Sequence, residues 1–281
     1  MANIYPNIIQ LPQYGLTLQG KIRGTEYPGL IIPELKLLFN ATIKPFFDVE
    51  FLLLSHTHMD QCVSLSGKMS NRTSPIVVSP LANVSSLIDY VNATAKFKYT
   101  LYQSDTTNIN SKFIGVKNED TIPIRPNLYI KTYDLDHVIP CCGYGLYIIR
   151  TVLKKEHVGI TRKEIIKLRR EGVQLSEIVH EPIIVYVSET LVSVFDKYPE
   201  LFNYLYIIIE CTYLPIKEDD IDEEVQQSIS HKQIHWTTIY PIIQSHPQNT
   251  FIICCFNPKY SDNDLDRFKE KITDKNIIFV M

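Results

Sequence analysis

The run Leu52-Leu53-Leu54-Ser55-His56-Thr57-His58-Met59-Asp60 brings two imidazoles and a carboxylate together at positions i, i+2 and i+4. Its apolar part suits a buried strand, which would release the polar part into a loop. Closely spaced side chains at such a strand end can turn toward one point. Imidazole nitrogen and carboxylate oxygen are zinc donors, and three protein ligands with one open position make a catalytic zinc site. Four later segments also place ligand-type groups at the ends of apolar runs. They are Asp136-His137-Val138-Ile139-Pro140-Cys141-Cys142-Gly143-Tyr144, Val187-Ser188-Glu189-Thr190, Ile209-Glu210-Cys211-Thr212 and Cys254-Cys255-Phe256. Ile234-His235-Trp236 lies between the last two.

Short apolar runs alternate with turn-rich segments along the whole chain. Expected strands are Gly29–Ile32, Leu35–Phe39, Phe51–Ser55, Ile76–Ser79, Leu128–Tyr133, Gly145–Ile149, Ile183–Val187, Leu205–Glu210 and Thr250–Cys255. Several are β-branched, as in sheets buried on both faces. Expected helices are Pro80–Tyr90, Arg162–Glu171, Thr237–Ser245 and Asp262–Ile272. The second of these has a capping box of Thr161 with Glu164 and a stop at Gly172. Strands mixed with helices, without strict βαβ alternation, predict layered sheets with helices outside.

At 281 residues the chain can bury a large core. A hydrophobic content of 45%, a charged content of 21% and a net charge of −3 are ordinary for a soluble globular protein. They give no whole-chain reason to expect nucleic acid, so such a partner must be met by a local basic patch. No apolar run approaches the ~18 residues of a membrane span, and Met1–Gly15 lacks the charged and apolar regions of a secretory leader. Six cysteines, four in the vicinal pairs Cys141-Cys142 and Cys254-Cys255, do not read as a secreted disulfide framework. A reduced, cytoplasmic setting is expected.

Taken in order, these segments resemble tRNase Z, the tRNA 3′-end-processing endoribonuclease of the metallo-β-lactamase superfamily, in its short, plant-like form. The resemblance runs from about Ile31 to Lys269 and includes Ile32-Pro33-Glu34-Leu35-Lys36-Leu37 and Leu153-Lys154-Lys155-Glu156-His157-Val158-Gly159. It implies an α/β fold: a four-layer αβ/βα sandwich of two mixed β-sheets with outer helices, formed by residues 1–281 as a single domain with a basic helical insertion around 150–180. It also implies one or two Zn2+ ions, precursor tRNA as RNA substrate, and a homodimer. His56, His58 and His137 would hold one ion and Asp60 the other, with Glu189 bridging. Glu210 and His235 match a pair that protonates the leaving ribose oxygen. An ionised carboxylate beside an imidazole raises its basicity, which suits that role.

Departures from the pattern concentrate on the second ion. Gln61 stands where the family has a histidine, and Glu189 where it has the shorter aspartate. Cys255 takes the place of the last histidine, and Asn40 that of an aspartate that helps to orient the site. A thiolate is a good zinc ligand, yet a buried strand cysteine is equally common, and both readings of Cys255 stay open. Glu189 as a turn cap and Glu210 as a satisfied strand-end carboxylate stay open as well.

From Arg150 to Arg170 the chain carries Arg150, Lys154, Lys155, Arg162, Lys163, Lys167, Arg169 and Arg170 against Glu156 and Glu164. Such concentration suits phosphate contact, since neutralising phosphates releases counterions. Ile165, Ile166 and Leu168 are expected to form the buried side of this helix. The expected function is therefore zinc-dependent removal of the 3′ trailer from precursor tRNA, with Lys154, Lys155, Arg162, Lys163, Lys167, Arg169 and Arg170 on the RNA. The alternatives are a catalytically impaired RNA-binding relative and another hydrolase of the same fold, such as a β-lactamase.

Overall fold

Alternation along the strands sets the layers of this molecule. In the segment Ile207-Ile208-Ile209 all side chains are buried, but on opposite faces: Ile208 joins the central core, whereas Ile207 and Ile209 join a second one. Leu52 and Leu53 divide in the same way. A strand with both faces apolar must be covered on both sides. A computed structural model describes residues 7–21, 29–42, 48–69, 73–98, 112–217 and 220–280.

The first sheet has seven strands in sequence order: β1 (Asn7–Leu11), β2 (Leu16–Lys21), β3 (Gly29–Ile32), β4 (Leu37–Phe39), β5 (Phe51–Leu53), β6 (Ile76–Pro80) and β7 (Phe113–Val116). Its first four strands are antiparallel, and β4 to β7 run parallel. The second sheet repeats this plan with β8 (Thr121–Arg125), β9 (Leu128–Leu135), β10 (Cys141–Leu153), β11 (Ser176–Val187), β12 (Tyr206–Glu210), β13 (Thr250–Cys254) and β14 (Ile277–Phe279). Here β8 to β11 are antiparallel and β11 to β14 parallel.

Between the sheets lie Phe39, Leu53, Tyr144, Ile184, Ile208 and Ile252. Outside the first sheet, Leu87 and Val91 of α3 (Val84–Lys98) pack on Leu52 and Val77. Outside the second, Trp236, Ile239 and Ile243 of α7 (Trp236–Ser245) and Leu265 of α8 (Asp262–Glu270) pack on Ile207 and Ile253. This is the expected helix–sheet–sheet–helix sandwich. No helix among the described residues is long and apolar enough to cross a membrane.

Several boundaries differ from the sequence reading. Pro33–Leu35 is a 3-10 turn, not strand: Pro33 opens it and Lys36 closes it in the left-handed region, at φ 50°. The expected buried side of α4 (Arg162–Arg170) does not exist, because no residue of that helix is buried and Ile166 is 44% exposed. The helix lies in the 154–175 connection between the long strands β10 and β11, whose outer ends are partly exposed. Its Thr161–Glu164 capping box is formed as expected.

Candidate metal centre

Parallel strands deliver their carboxyl ends to one rim of each sheet. From β5 the chain leaves through Ser55, His56 and His58 into α1 (Met59–Cys62), and from β11 through Ser188 and Glu189. The two rims meet where Ser188 Oγ donates to Ser55 Oγ at 3.0 Å. His137 comes from the turn joining β9 to β10. In consequence His56, His58, His137 and Glu189 converge, each with a ligand atom within 4.8 Å of the others.

Distances inside this group have the scale of a metal's inner sphere. Glu189 Oε2 lies 3.3 Å from His56 Nε2, 3.2 Å from His58 Nδ1 and 2.9 Å from His137 Nε2. His56 Nε2 and His58 Nδ1 are 3.1 Å apart. Donors bonded to a tetrahedral zinc at 2.0–2.2 Å would be separated by roughly 3.3 Å. His137 Nε2 and Glu189 Oε2 are buried and hydrogen-bonded to nothing despite their proximity. Lone pairs that converge without an intervening proton are the arrangement a cation would satisfy, so these residues fit a metal ion.

The surrounding bonds fix which nitrogen faces inward. Ser55 Oγ donates its proton to Asn40 Oδ1 at 3.0 Å, so at 2.9 Å from His56 Nδ1 it must accept. The His56 proton therefore sits on Nδ1, leaving Nε2 free for the centre. His137 Nδ1 donates to the Lys232 carbonyl at 3.3 Å, with the same effect. Partners of this kind orient ligating imidazoles and raise their basicity. Burial holds the His56 pKa below its ordinary value, against the pull of Glu189. The Glu189 carboxylate beside His58 raises the pKa of that ring. Burial opposes charge on Glu189, but the three imidazoles that face it outweigh this and keep the carboxylate ionised.

Beside this group lies a cavity of about 150 Å³ lined by Asp60, Gln61, Glu189, Glu210, Gln233 and Cys255, among others. The side chains expected around a second ion are thus neighbours, but Asp60 and Cys255 do not join the converging set. Asp60 Oδ2 accepts from Gln61 Nε2 at 3.2 Å. Cys255 sits just past β13 in the left-handed region at φ 62°, and burial raises its thiol pKa well above the ordinary value. Glu210 ends β12 and accepts from Tyr186 Oη, which in turn accepts from Asn40 Nδ2 at 2.9 Å. Burial and the nearby charge of Glu189 push the Glu210 carboxyl up to about 8, although the Tyr186 bond works the other way.

The expected Glu210–His235 pair is not formed. Among the described residues no hydrogen bond or ion pair joins them. His235 instead caps α7, its Nδ1 accepting from the Thr237 amide at 3.2 Å. Burial lowers its pKa, so the neutral ring carries its proton on Nε2, which is buried without a partner. Burial and the Glu189 charge also favour the neutral form of Glu210, where the resemblance implied an ionised carboxylate.

No protein-family model matches the chain. Over 262 residues it is 21% identical to tRNase Z TRZ1 of Arabidopsis thaliana, covering 90% of this chain and 89% of the plant protein. Among solved structures, the short form of human tRNase Z superposes with a TM-score of 0.53 at 12% identity, over 85% of this chain and 92% of that one. The metallo-β-lactamase fold protein YhfI from Bacillus subtilis gives 0.56 at 10% identity, over 93% and 94%. The chain is similar to tRNase Z. Both the family resemblance read from the sequence and the metallo-β-lactamase fold it implied are thereby borne out.

In this tRNase Z-like chain the basic residues lie away from the packed layers. Lys155, Arg162, Lys163, Lys167, Arg169 and Arg170 are exposed and Lys154 half-buried. Of these only Lys167 makes an ion pair among the described residues, with Glu171. Arg150 serves structure instead, paired with Glu181 at 3.1 Å and lying over the Tyr14 ring. Sequence reasoning missed Ser55, Tyr186 and Gln233, whose amide Nε2 donates to Glu189 Oε1 at 2.6 Å. Ser55 stands inside the histidine run and was open to suspicion there. Gln233 carries no signature at all.

Proposed function

We propose that this chain is a zinc-dependent endoribonuclease of tRNase Z type that removes the 3′ trailer from precursor tRNA. The observation that carries the reading is the convergence of His56, His58, His137 and Glu189 from three separate segments onto one point. A zinc ion held there would lower the pKa of water to about 7 and polarise a phosphodiester oxygen. Asp60, at the cavity wall, accepts a proton or orients the attacking group. Two neutral donors stand ready for the leaving oxygen: the Glu210 carboxyl, protonated below about pH 8, and His235 through its unpartnered Nε2.

Lys154, Lys155, Arg162, Lys163, Lys167, Arg169 and Arg170 hold the RNA through its phosphates. Their concentration on one exposed insertion of a single domain, with no aromatic interleaving, favours recognition of backbone and shape over base sequence. Six buried, unpaired cysteines support a reducing, cytoplasmic setting. A homodimer, as the resemblance implies, completes the proposal.

The test compares purified, zinc-loaded protein with a tRNase Z that has the full ligand set on the same precursor tRNA. Cleavage at the 3′ end of the tRNA body, leaving a 3′-hydroxyl, is expected at a lower rate. An uncut precursor, while the comparison enzyme cuts it, would refute the nuclease. RNA binding without cleavage would then support the impaired relative, a reading favoured by the two amides on the site's carboxylates.

A further inference from the structure

The two carboxylates that would hold a second ion are both engaged by amides. Glu189 turns Oε2 toward the three imidazoles, while Oε1 takes a hydrogen bond from Gln233 Nε2 at 2.6 Å. An oxygen that already accepts a short bond from an amide N–H has one lone pair left and is the weaker donor to a second ion, and Oε1 is in that position here. Asp60 Oδ2 likewise takes its bond from Gln61 Nε2. An amide N–H supplies positive potential without charge or a third ligand, so Gln61 and Gln233 together do for these oxygens part of what a second cation would do.

We infer that the centre holds one ion, with His56, His58, His137 and Glu189 as its four protein ligands and Gln233 as the positioning residue that holds Glu189 terminal instead of bridging. This inference rests on reading the cluster as a metal centre. The extra methylene of Glu189 explains how its oxygen reaches all three imidazoles at 2.9–3.3 Å. Gln233 is placed by the turn between α6 (Ile221–Ser230) and α7. The same turn gives the Lys232 carbonyl to His137, and Lys232 Nζ is tied to Asp136 at 2.6 Å. One short segment therefore sets both a histidine and the carboxylate. Four protein ligands define a closed site, whereas a catalytic zinc keeps one position open. With Glu189 in that position, water would reach the ion only as a fifth ligand or when Glu189 yields, and the slow turnover expected of this chain follows.

The test measures metal content by mass spectrometry on the full chain after equilibration with zinc and exhaustive dialysis. The visible spectrum of the cobalt-substituted protein then reads the coordination number. Expected are one ion per chain and the intense absorption of four-coordinate cobalt, both unchanged in Asp60→Asn and Cys255→Ala. Gln233→Ala should keep one ion but weaken its binding about 10- to 100-fold, the usual effect of losing an outer partner. Glu189→Gln, which keeps the shape, should change the cobalt spectrum. Two ions per chain, or one ion lost on Cys255→Ala, overturns the single-ion site and leaves the metal-centre reading intact. No ion at all overturns both.

Discussion

The imidazole side of the site and the cavity side are built to different standards. On the imidazole side two of the three rings are oriented from outside, His56 by Ser55 and His137 by the Lys232 carbonyl, with their lone pairs crowded within 3.3 Å of Glu189 Oε2. Such crowding is costly unless something positive satisfies it. On the cavity side Asp60, Gln61, Glu210 and Cys255 share a wall but aim at no common point: Asp60 accepts from Gln61 Nε2, and burial favours the neutral forms of the Glu210 carboxyl and the Cys255 thiol. Preorganisation for an ion is thus visible as several unrelieved polar atoms on one point, and its absence as donors and acceptors that do not converge. Ligand identity alone does not separate the two sides, since thiol and carboxylate are good donors as well.

The largest effect is expected from His137→Ala. It removes one of the four donors and the imidazole nearest to Glu189, at 2.9 Å. Metal affinity should fall by more than about 100-fold, beyond the loss seen for an outer partner alone, and any RNA cleavage should vanish with it. Isothermal titration with zinc checks this. Affinity within a factor of three of the parent protein would break the comparison, because the imidazole side would then not be where the ion binds.

How much of this was legible in the residues follows from the same contrast. His56, His58 and His137 stand where long buried runs end, so burial pattern and chemistry pointed to them together. The central strands β5, β12 and β13 were visible for the same reason, being apolar on both faces. Edge and peripheral strands β1, β2, β7, β8 and β14 were not. They are short, and Thr121–Arg125 even contains a proline, which pairing at a sheet edge tolerates. Helix α6 opens on Asp222, Glu223 and Glu224 and shows a weak apolar stripe. Partners that depend on tertiary placement were out of reach: Tyr186 reaches Asn40 across 146 residues of sequence. Glu210 and His235 have separate hydrogen-bond partners among the described residues, since matching motif order does not establish contact.

On the cavity side the sharper probe is Glu210→Gln. The carboxyl is raised from an ordinary 4.5 to about 8, so folding takes up a proton there at neutral pH. Its contribution to stability is therefore complete below about pH 4.5 and is lost as pH rises through about 8. Each unit of such a shift is worth about 1.4 kcal/mol, which puts the effect on the order of a few kcal/mol. Denaturant unfolding of the metal-stripped chain between pH 5 and pH 9 should show stability falling with pH in the parent protein more steeply than in the variant, whose amide still accepts from Tyr186. Parallel curves would mean that Glu210 is already ionised, and with it would go its role as a neutral acid.

The smallest effect is expected from Gln61→Leu, and its sign matters more than its size. The Gln61 side chain is buried, Nε2 donates to Asp60, and Oε1 has no partner. An unsatisfied buried oxygen costs about 1–3 kcal/mol, whereas an apolar group of similar shape removes that cost together with one hydrogen bond worth about 1 kcal/mol. The two terms nearly cancel, so the unfolding midpoint should stay within about 1 kcal/mol of the parent value or rise slightly. The backbone role of this residue, its carbonyl accepting from the Ala41 amide, survives the change. Were Oε1 instead a ligand to a second cation, leucine would remove half of the bound metal and lower the thermal midpoint measured in zinc. That loss would place the amide among the metal ligands and erase the difference between the two sides of the site.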